Sequence, residues 1–144
     1  MLPIVDDAVL TLARLARFLE RACTDLTLSQ YRLLAMIADG AERASEIAGR
    51  LALTKPTVSA TIDTLVERGL VTRTTADDDR RALRLQITAE GREVVGAAER
   101  AMRERLDDLL TRVDDPDSVQ SALVQLHLAL DERREERRAA RAGA

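Results

Sequence analysis

The stretch Thr54–Thr88 constrains the fold most, because its hydrophobic period changes at Gly69. Before that glycine, Val58, Ile62 and Leu65 recur at the spacing of one face of an α-helix. After it, apolar and polar residues alternate, as they do in a half-buried strand. The pattern therefore predicts a helix followed at once by a β-hairpin.

The predicted helix contains its own start and stop signals. Thr54 can cap the N-terminus, Pro56 suits the first turn, and Gly69 can adopt the left-handed conformation that ends a helix. The face opposite the apolar stripe is small and polar: it consists of Pro56, Thr57, Ser59, Ala60, Asp63 and Thr64. Together with Lys55 and the first backbone N–H groups, this face can enter a DNA major groove without collision.

Two alternating runs after Gly69 predict the strands of the hairpin. They cover Leu70–Thr74 and Ala82–Ile87, and the segment Ala76–Arg81 between them, charged at every position after Ala76, predicts a polar tip. Taken alone, most pairs of a helix and a hairpin are explained by a solvated surface hairpin. The helices that precede it favour a wing beside a DNA-binding helix.

Three helices are predicted before Thr54. The first, from Pro3 to about Cys23, has an apolar face wide enough to be buried on two sides. A second begins near Thr27 or Ser29, and a short third covers Glu42–Leu51. A short helix, a tight connection and a second helix with a small polar face is the helix-turn-helix arrangement.

Two more helices are predicted after the hairpin. Residues 88–91 begin a long helix with apolar positions up to Val113, and residues 114–117 interrupt it before a last helix opens. The end of the chain, 131–144, carries paired basic and acidic residues at helical spacing. A basic nucleic-acid tail is one interpretation, but the interleaved acids favour a solvated helix end.

Composition limits the class of protein. The chain has 144 residues, 46% of them hydrophobic, which is enough for one domain with a real core. Aromatic residues are almost absent, so the core must be aliphatic. Neither an apolar run of about eighteen residues nor a secretory signal pattern is present, so we expect a cytoplasmic protein without a membrane partner. A single Cys fits a reducing compartment.

Net charge gives weak support for nucleic-acid binding. The whole chain carries −3, and segments 1–40, 41–87 and 88–144 carry −1, +1 and −3 respectively. The predicted DNA-reading unit is thus the only segment that is not acidic. Lys55 is the only lysine among 22 basic residues, and arginine is the better bidentate partner for phosphates and base edges.

The order of elements and four local motifs resemble the MarR (multiple-antibiotic-resistance regulator) family of winged-helix transcription factors. The matching residues are Leu26–Leu34, Ala48–Ser59, Leu65–Val71 and Asp79–Arg81 leading to Leu85–Gly91. Each motif alone is weak, but four in register over residues 26–91 are a strong signal. The fold class that we predict is mainly α with a small β-hairpin wing: a winged helix-turn-helix with long N- and C-terminal dimerisation helices.

The resemblance implies a single domain, 1–144, in which 26–88 bind DNA while 1–25 and 89–144 dimerise. It also implies a homodimeric repressor of a pseudo-palindromic operator, released from double-stranded DNA by a small-molecule effector. We predict DNA-binding residues at Ser45, Thr54, Lys55, Pro56, Thr57, Ser59, Ala60, Asp63, Arg73, Asp79, Arg80 and Arg81. By resemblance, Arg81 enters the minor groove, and we expect Asp79 to hold its guanidinium. The predicted dimer interface comprises Leu12, Leu15, Leu19, Leu123, Leu126 and Leu130.

The sequence departs from the family pattern at two positions. The family often has basic residues where this chain has Ala60 and Thr64. These departures and the acidic total keep a second class open: a winged-helix dimer that acts as a protein-interaction module with little DNA binding.

Neither catalysis nor a bound cofactor is predicted. Cys23 occupies an apolar helix position, which favours a small buried hydrophobe over a peroxide-sensing thiol. His127, the only histidine, has no Cys or clustered His near it, so a zinc-sensing site would need carboxylates. No phosphate-binding glycine loop or catalytic constellation is apparent, so we expect no enzyme and no cofactor.

Overall fold

A computed structural model describes the backbone of residues 4–76 and 79–142, with side chains described there except at 4–6, 75–76, 79–82, 138 and 141–142. Within these residues the order of elements is that of a winged helix-turn-helix with flanking helices. The elements are α1 Ile4–Glu20, α2 Leu28–Ala38, α3 Ala44–Leu51, α4 Lys55–Glu67, β1 Val71–Ala76, β2 Asp79–Ile87, α5 Ala89–Leu110 and α6 Pro116–Ala142. The predicted fold class is confirmed.

Side-chain caps define the starts of α2 and α4. The Thr27 hydroxyl accepts the N–H of Gln30 at 3.2 Å, while the Gln30 side chain accepts the N–H of Thr27 at 3.0 Å. This reciprocal pair is a capping box. Thr54 caps α4 in the predicted way, since its hydroxyl accepts the N–H of Thr57 at 3.3 Å.

Two left-handed residues set the chain direction on either side of α4. Ala52 has φ 53° and ends α3, so the α3–α4 connection is a tight turn although its left-handed residue is not glycine. Gly69 has φ 72°, which glycine adopts without cost, and the N–H of Leu70 returns to the carbonyl of Leu65 at 2.9 Å. The helix-turn-helix and the start of the wing are therefore fixed locally.

The wing is one antiparallel strand pair. Val71 lies opposite Ile87, and Arg73 lies opposite Leu85. The strands extend further than predicted, and the predicted tip Ala76–Arg81 is wrong in extent because Ala76 belongs to β1 and residues 79–81 belong to β2. Strand pairing satisfies backbone N–H and carbonyl groups whatever the side chains are, so the polar residues do not stop the ladder.

The core lies on the inward side of α4 and beneath the root of the wing, which is the end of the wing that is nearest to α4. It is aliphatic, as the composition requires, and no charged or polar residue is buried among the described side chains. Its most deeply buried members are Leu33, Leu34, Ile47, Val58, Ile62, Leu65, Leu70 and Val71. Three helices and the wing thus hold α4 by its apolar stripe.

The ends of α1 and α5 differ from the prediction. α1 ends at Glu20 rather than Cys23, because the N–H of Cys23 turns back to the carbonyl of Glu20 at 3.0 Å instead of continuing the helix. α5 ends at Leu110 rather than Val113, where the N–H of Val113 likewise bonds three residues back to Leu110 at 3.2 Å. Apolar periodicity continues past both ends, so it could not reveal them.

The chain divides into two compact units, Met1–Leu106 and Asp107–Ala144. The first contains α1 to α4 and the wing, and the second contains α6. Whether 1–144 acts as one domain stays a prediction. No helix among the described residues is both long and apolar enough to cross a membrane.

Candidate nucleic-acid interface

The outward face of α4 is small, polar and accessible. Val58, Ile62 and Leu65 point into the core with 1%, 2% and 0% of their surface exposed. This orientation turns the opposite side of the helix to solvent. All six residues predicted on α4 for DNA contact are exposed: Lys55, Pro56, Thr57, Ser59, Ala60 and Asp63.

Hydroxyl groups at the start of α4 form a local network. The hydroxyl oxygens of Thr54 and Thr57 lie 2.8 Å apart, and Thr54 also caps the helix. Thr61 and Thr64 donate their hydroxyls back to the carbonyls of Thr57 and Ala60, at 2.9 and 3.1 Å. The last two groups are therefore engaged within the helix.

An ion pair joins α4 to the wing. The Arg73 guanidinium, from β1, donates to the Asp63 carboxylate on the outward face of α4. Both residues were predicted to contact DNA separately, and the structure brings them together. The pair neutralises a carboxylate on a surface that would otherwise repel phosphate, and it fixes the wing beside α4.

The opposite edge of the wing is attached to the α2–α3 connection. The N–H of Leu85 donates to the carbonyl of Glu42 at 2.8 Å, and the Glu42 carboxylate lies 3.5 Å from Nε of Arg84. Sequence analysis did not identify Glu42, because its partners lie more than forty residues away in the chain. Ser45, exposed in the first turn of α3, follows this connection.

Thr88 and Gly91 fix the root of the wing to α5. The Thr88 hydroxyl donates to the Gly69 carbonyl at 2.8 Å and accepts the N–H of Gly91 at 2.9 Å. A Cβ on Gly91 would lie 2.2 Å from the carbonyl oxygen of Leu70, so only glycine fits. A glycine in the first turn of a helix was the available signal for this close approach.

Three predicted wing residues cannot be placed in the same detail. Asp79, Arg80 and Arg81 lie in β2, but their side chains are outside the described residues. The predicted contact between Asp79 and Arg81 therefore stays a prediction.

Comparison with known proteins agrees with this geometry. The profile of the MarR family matches residues 24–82, which span the helix-turn-helix and most of the wing. The transcriptional repressor CouR, solved bound to a 23-mer DNA duplex, is 26% identical with a TM-score of 0.77, and the match covers 88% of this chain and 92% of CouR. Over the helix-turn-helix and most of the wing, the chain is therefore similar to the MarR family. Its fold is that of the family's transcriptional regulators.

Two further MarR-like structures show the same fold. Apo MarR from E. coli is 19% identical with a TM-score of 0.74, covering 89% of this chain and 98% of the other. YusO from Bacillus subtilis is 22% identical with a TM-score of 0.67, covering 88% and 94%. The match extends well beyond the profile into the flanking helices.

The flanking helices leave large apolar side chains exposed. Of the predicted interface residues, Leu12, Leu126 and Leu130 are exposed by 50%, 51% and 61%, while Leu15, Leu19 and Leu123 are half-buried. Four further exposed apolar side chains of these helices were not among the predicted interface residues. These are Val9, Leu10, Val124 and Leu128.

Cys23 lies half-buried against the hydrophobic core. Burial raises the pKa of its thiol, and the charge of Glu20 raises it further. Burial also raises the pKa of Tyr31, with the charge of Glu99 as the next cause. A thiol with a raised pKa is a poor nucleophile, which fits the packing interpretation.

His127 forms a local pair in α6. Its Nε2 lies 3.3 Å from the Asp131 carboxylate, one helical turn away. Among the residues that the structure describes, no group of three or more His, Cys, Asp or Glu side chains is positioned to hold a metal ion.

Proposed function

We propose that this chain is a DNA-binding transcriptional regulator that inserts α4 into the major groove. One observation supports this most: the helix that follows the tight turn is held by an apolar stripe and presents an exposed face of short polar side chains. A docked recognition helix needs such a face. The DNA complex of CouR is consistent with this role.

Charge on this surface is balanced rather than strongly basic. Asp63 is paired with Arg73, and Glu42 with Arg84, so each of these two acids has a basic partner. Lys55 remains exposed at the start of α4. We therefore expect a small number of phosphate contacts and a moderate loss of DNA affinity as the salt concentration rises.

A salt titration tests DNA binding. Fluorescence anisotropy with a labelled random-sequence duplex, at increasing KCl, should show affinity that falls linearly on a log–log plot. Affinity that does not change with salt would favour the protein-interaction module instead.

Variants of α4 test its orientation on DNA. Ser59→Ala removes an exposed hydroxyl and should weaken operator binding by about 1–3 kcal/mol if it reads a base, with an unchanged melting temperature. Val58→Ala removes a buried side chain and should mainly lower the melting temperature. Thr57→Ala should weaken binding with a small loss of stability, because Thr57 also bonds to the cap at Thr54. Equal effects on folding and binding at all three positions would contradict this orientation.

We also propose that the protein is a homodimer that acts as a repressor. The exposed apolar side chains of α1 and α6 exceed what a solvated monomer normally presents. Leu126→Asp should give monomers in sedimentation velocity, because a charge buried at a contact costs several kcal/mol. Gln125→Asp, on the neighbouring exposed position of α6, is the matched control and should remain dimeric. A dimeric Leu126→Asp variant would place the interface elsewhere.

We further propose release by a small-molecule effector, which rests on family resemblance. A surface cavity of about 330 Å³ beside the α1–α2 connection is one place to test; Arg17, Glu20, Arg21 and Cys23 contribute to its lining. Its volume is at the lower end of small-ligand sites. A panel of phenolic carboxylates should include compounds that dissociate a preformed DNA complex, and Arg21→Ala should reduce their effect if this cavity is the site. Dissociation that is unaffected by Arg21→Ala would exclude it.

A further inference from the structure

Leu83 is an exposed leucine on the wing of an otherwise well-packed winged helix-turn-helix. Its side chain is 53% exposed, whereas Leu85, two residues along the same strand, is 4% exposed. Alternate residues of a strand share a face, so both side chains lie on one side of the wing. Leu83 therefore continues the apolar face of β2 beyond the edge of the core.

The ion pair between Arg73 and Asp63 shows which way this face is turned. Arg73 lies directly opposite Leu85 in the strand register, and opposite residues of an antiparallel pair share a face. Arg73 reaches Asp63 on the outward side of α4. The face that carries Leu83 therefore packs on the core at Leu85 and lies beside Asp63 of α4 at Arg73. Leu83 lies about 7 Å nearer the wing tip than Leu85.

The other face of the wing has a different chemistry. Arg84 and Gln86 alternate with the apolar residues, and Arg84 pairs with Glu42. Leu83 is therefore an isolated apolar group next to the proposed DNA surface. Single exposed leucines are ordinary on protein surfaces, so its position, not its exposure alone, supports a role.

A helix in the major groove is bordered by a sugar–phosphate strand. An element beside that helix must cross this strand, where each deoxyribose presents C–H groups between charged phosphates. The apolar side chain of a leucine can pack against these C–H groups. Arg73, on the same face of the wing, is paired with Asp63 and therefore adds no unpaired charge. We propose that Leu83 packs against a deoxyribose of the strand that flanks the α4 footprint, an inference that rests on the proposed DNA-binding function.

Such a contact has a distinctive thermodynamic signature. It releases no counterion, so its contribution to affinity is independent of salt, unlike that of a phosphate-binding arginine. It also carries no base information. Burying the exposed half of a leucine corresponds to an affinity change of about threefold to tenfold.

The test compares wild-type protein with Leu83→Ala by fluorescence anisotropy. The probe is a 30-base-pair duplex recovered by selection from a random pool with wild-type protein, titrated between 50 and 300 mM KCl, where about threefold to tenfold weaker binding with an unchanged salt slope is expected. Leu83→Met should retain most of the affinity, because it preserves apolar volume. Gln86→Ala, on the other face of the same strand, is the matched control and should bind as wild type.

Three results would overturn the proposal. Unchanged affinity of Leu83→Ala would mean that Leu83 stays solvated, and a loss of affinity matched by a lower melting temperature would make it a structural residue. If replacing thymine by uracil in the probe abolished the effect of Leu83→Ala, the contact would be with a thymine methyl group and not with a sugar. Failure of wild-type protein to bind any duplex would instead remove the proposed function itself, and the selection step would reveal that first.

Discussion

The ion pair between Asp63 and Arg73 makes a sharp prediction, because removing one partner or the other should change DNA binding in opposite directions, while both changes lower stability only slightly. The Asp63 and Arg73 side chains are 55% and 34% exposed, so solvent screens their attraction. We expect the pair to contribute about 0.2–1 kcal/mol to folding. Arg73→Ala and Asp63→Ala should therefore each lower the melting temperature by no more than about 4 °C.

The effect on DNA binding should be of similar size but should differ in sign between the two variants. In Arg73→Ala, the Asp63 carboxylate is left without its partner on the face turned to DNA. At roughly 7 Å, an unpaired carboxylate and one phosphate repel by about 0.6 kcal/mol in water, or about threefold in affinity for each phosphate. In Asp63→Ala, the released Arg73 can bind a phosphate, so the salt slope should become steeper by about one unit.

The assay is a double-mutant cycle measured by anisotropy at two salt concentrations. The variant that lacks both side chains has neither the repulsion nor the free guanidinium, so it should bind DNA more tightly than Arg73→Ala. A double variant that binds DNA as weakly as Arg73→Ala would refute the reasoning, because the weaker binding would then come from the loss of Arg73 itself and not from the unpaired Asp63 carboxylate.

Three other substitutions or reactions probe the scaffold. Gly91→Ala should destabilise the protein by about 1–3 kcal/mol or more in urea unfolding, because the new Cβ meets the Leu70 carbonyl. Gly49→Ala is the control: its new Cβ lies in open space within α3, so it should be neutral or stabilising. Ala52→Gly should raise the melting temperature slightly, since glycine relieves about 1–2 kcal/mol of left-handed strain at φ 53° and loses part of that gain in entropy. Because the pKa of Cys23 is raised, iodoacetamide at pH 8 should alkylate it more slowly than a free cysteine, and unfolding should accelerate the reaction. Rapid labelling of the folded protein would contradict the burial of this thiol.

Local sequence signals, such as helix caps and apolar spacing, allowed much of the winged helix-turn-helix to be predicted. Thr54 caps the start of α4, and Gly69 adopts the left-handed conformation just after its end, as their residue types indicate. The buried apolar stripe that begins at Val58 determines which face of α4 is outward. These features depend on neighbours within one or two turns of chain. Short-range chemistry was therefore sufficient for them.

Contacts between distant residues could not be predicted in the same way. Asp63 and Arg73 were both identified, but their pairing depends on how β1 leaves α4. Glu42 was missed because its partners are in β2, and the end of α1 was misplaced because apolar spacing continues through the turn after Glu20. Each of these follows from tertiary packing, which a periodic pattern does not encode.

The spacing of half-sites tests the central claim most directly, since it requires both a twofold dimer and α4 in the major groove. The measurement is the affinity of wild-type protein for its selected operator, with and without five base pairs inserted between half-sites. The two recognition helices should reach groove faces about 10 base pairs apart, so the insertion turns one half-site to the opposite side of the duplex. Affinity should then fall by roughly a thousandfold, to that of non-specific DNA. Unchanged affinity after the insertion would contradict the account.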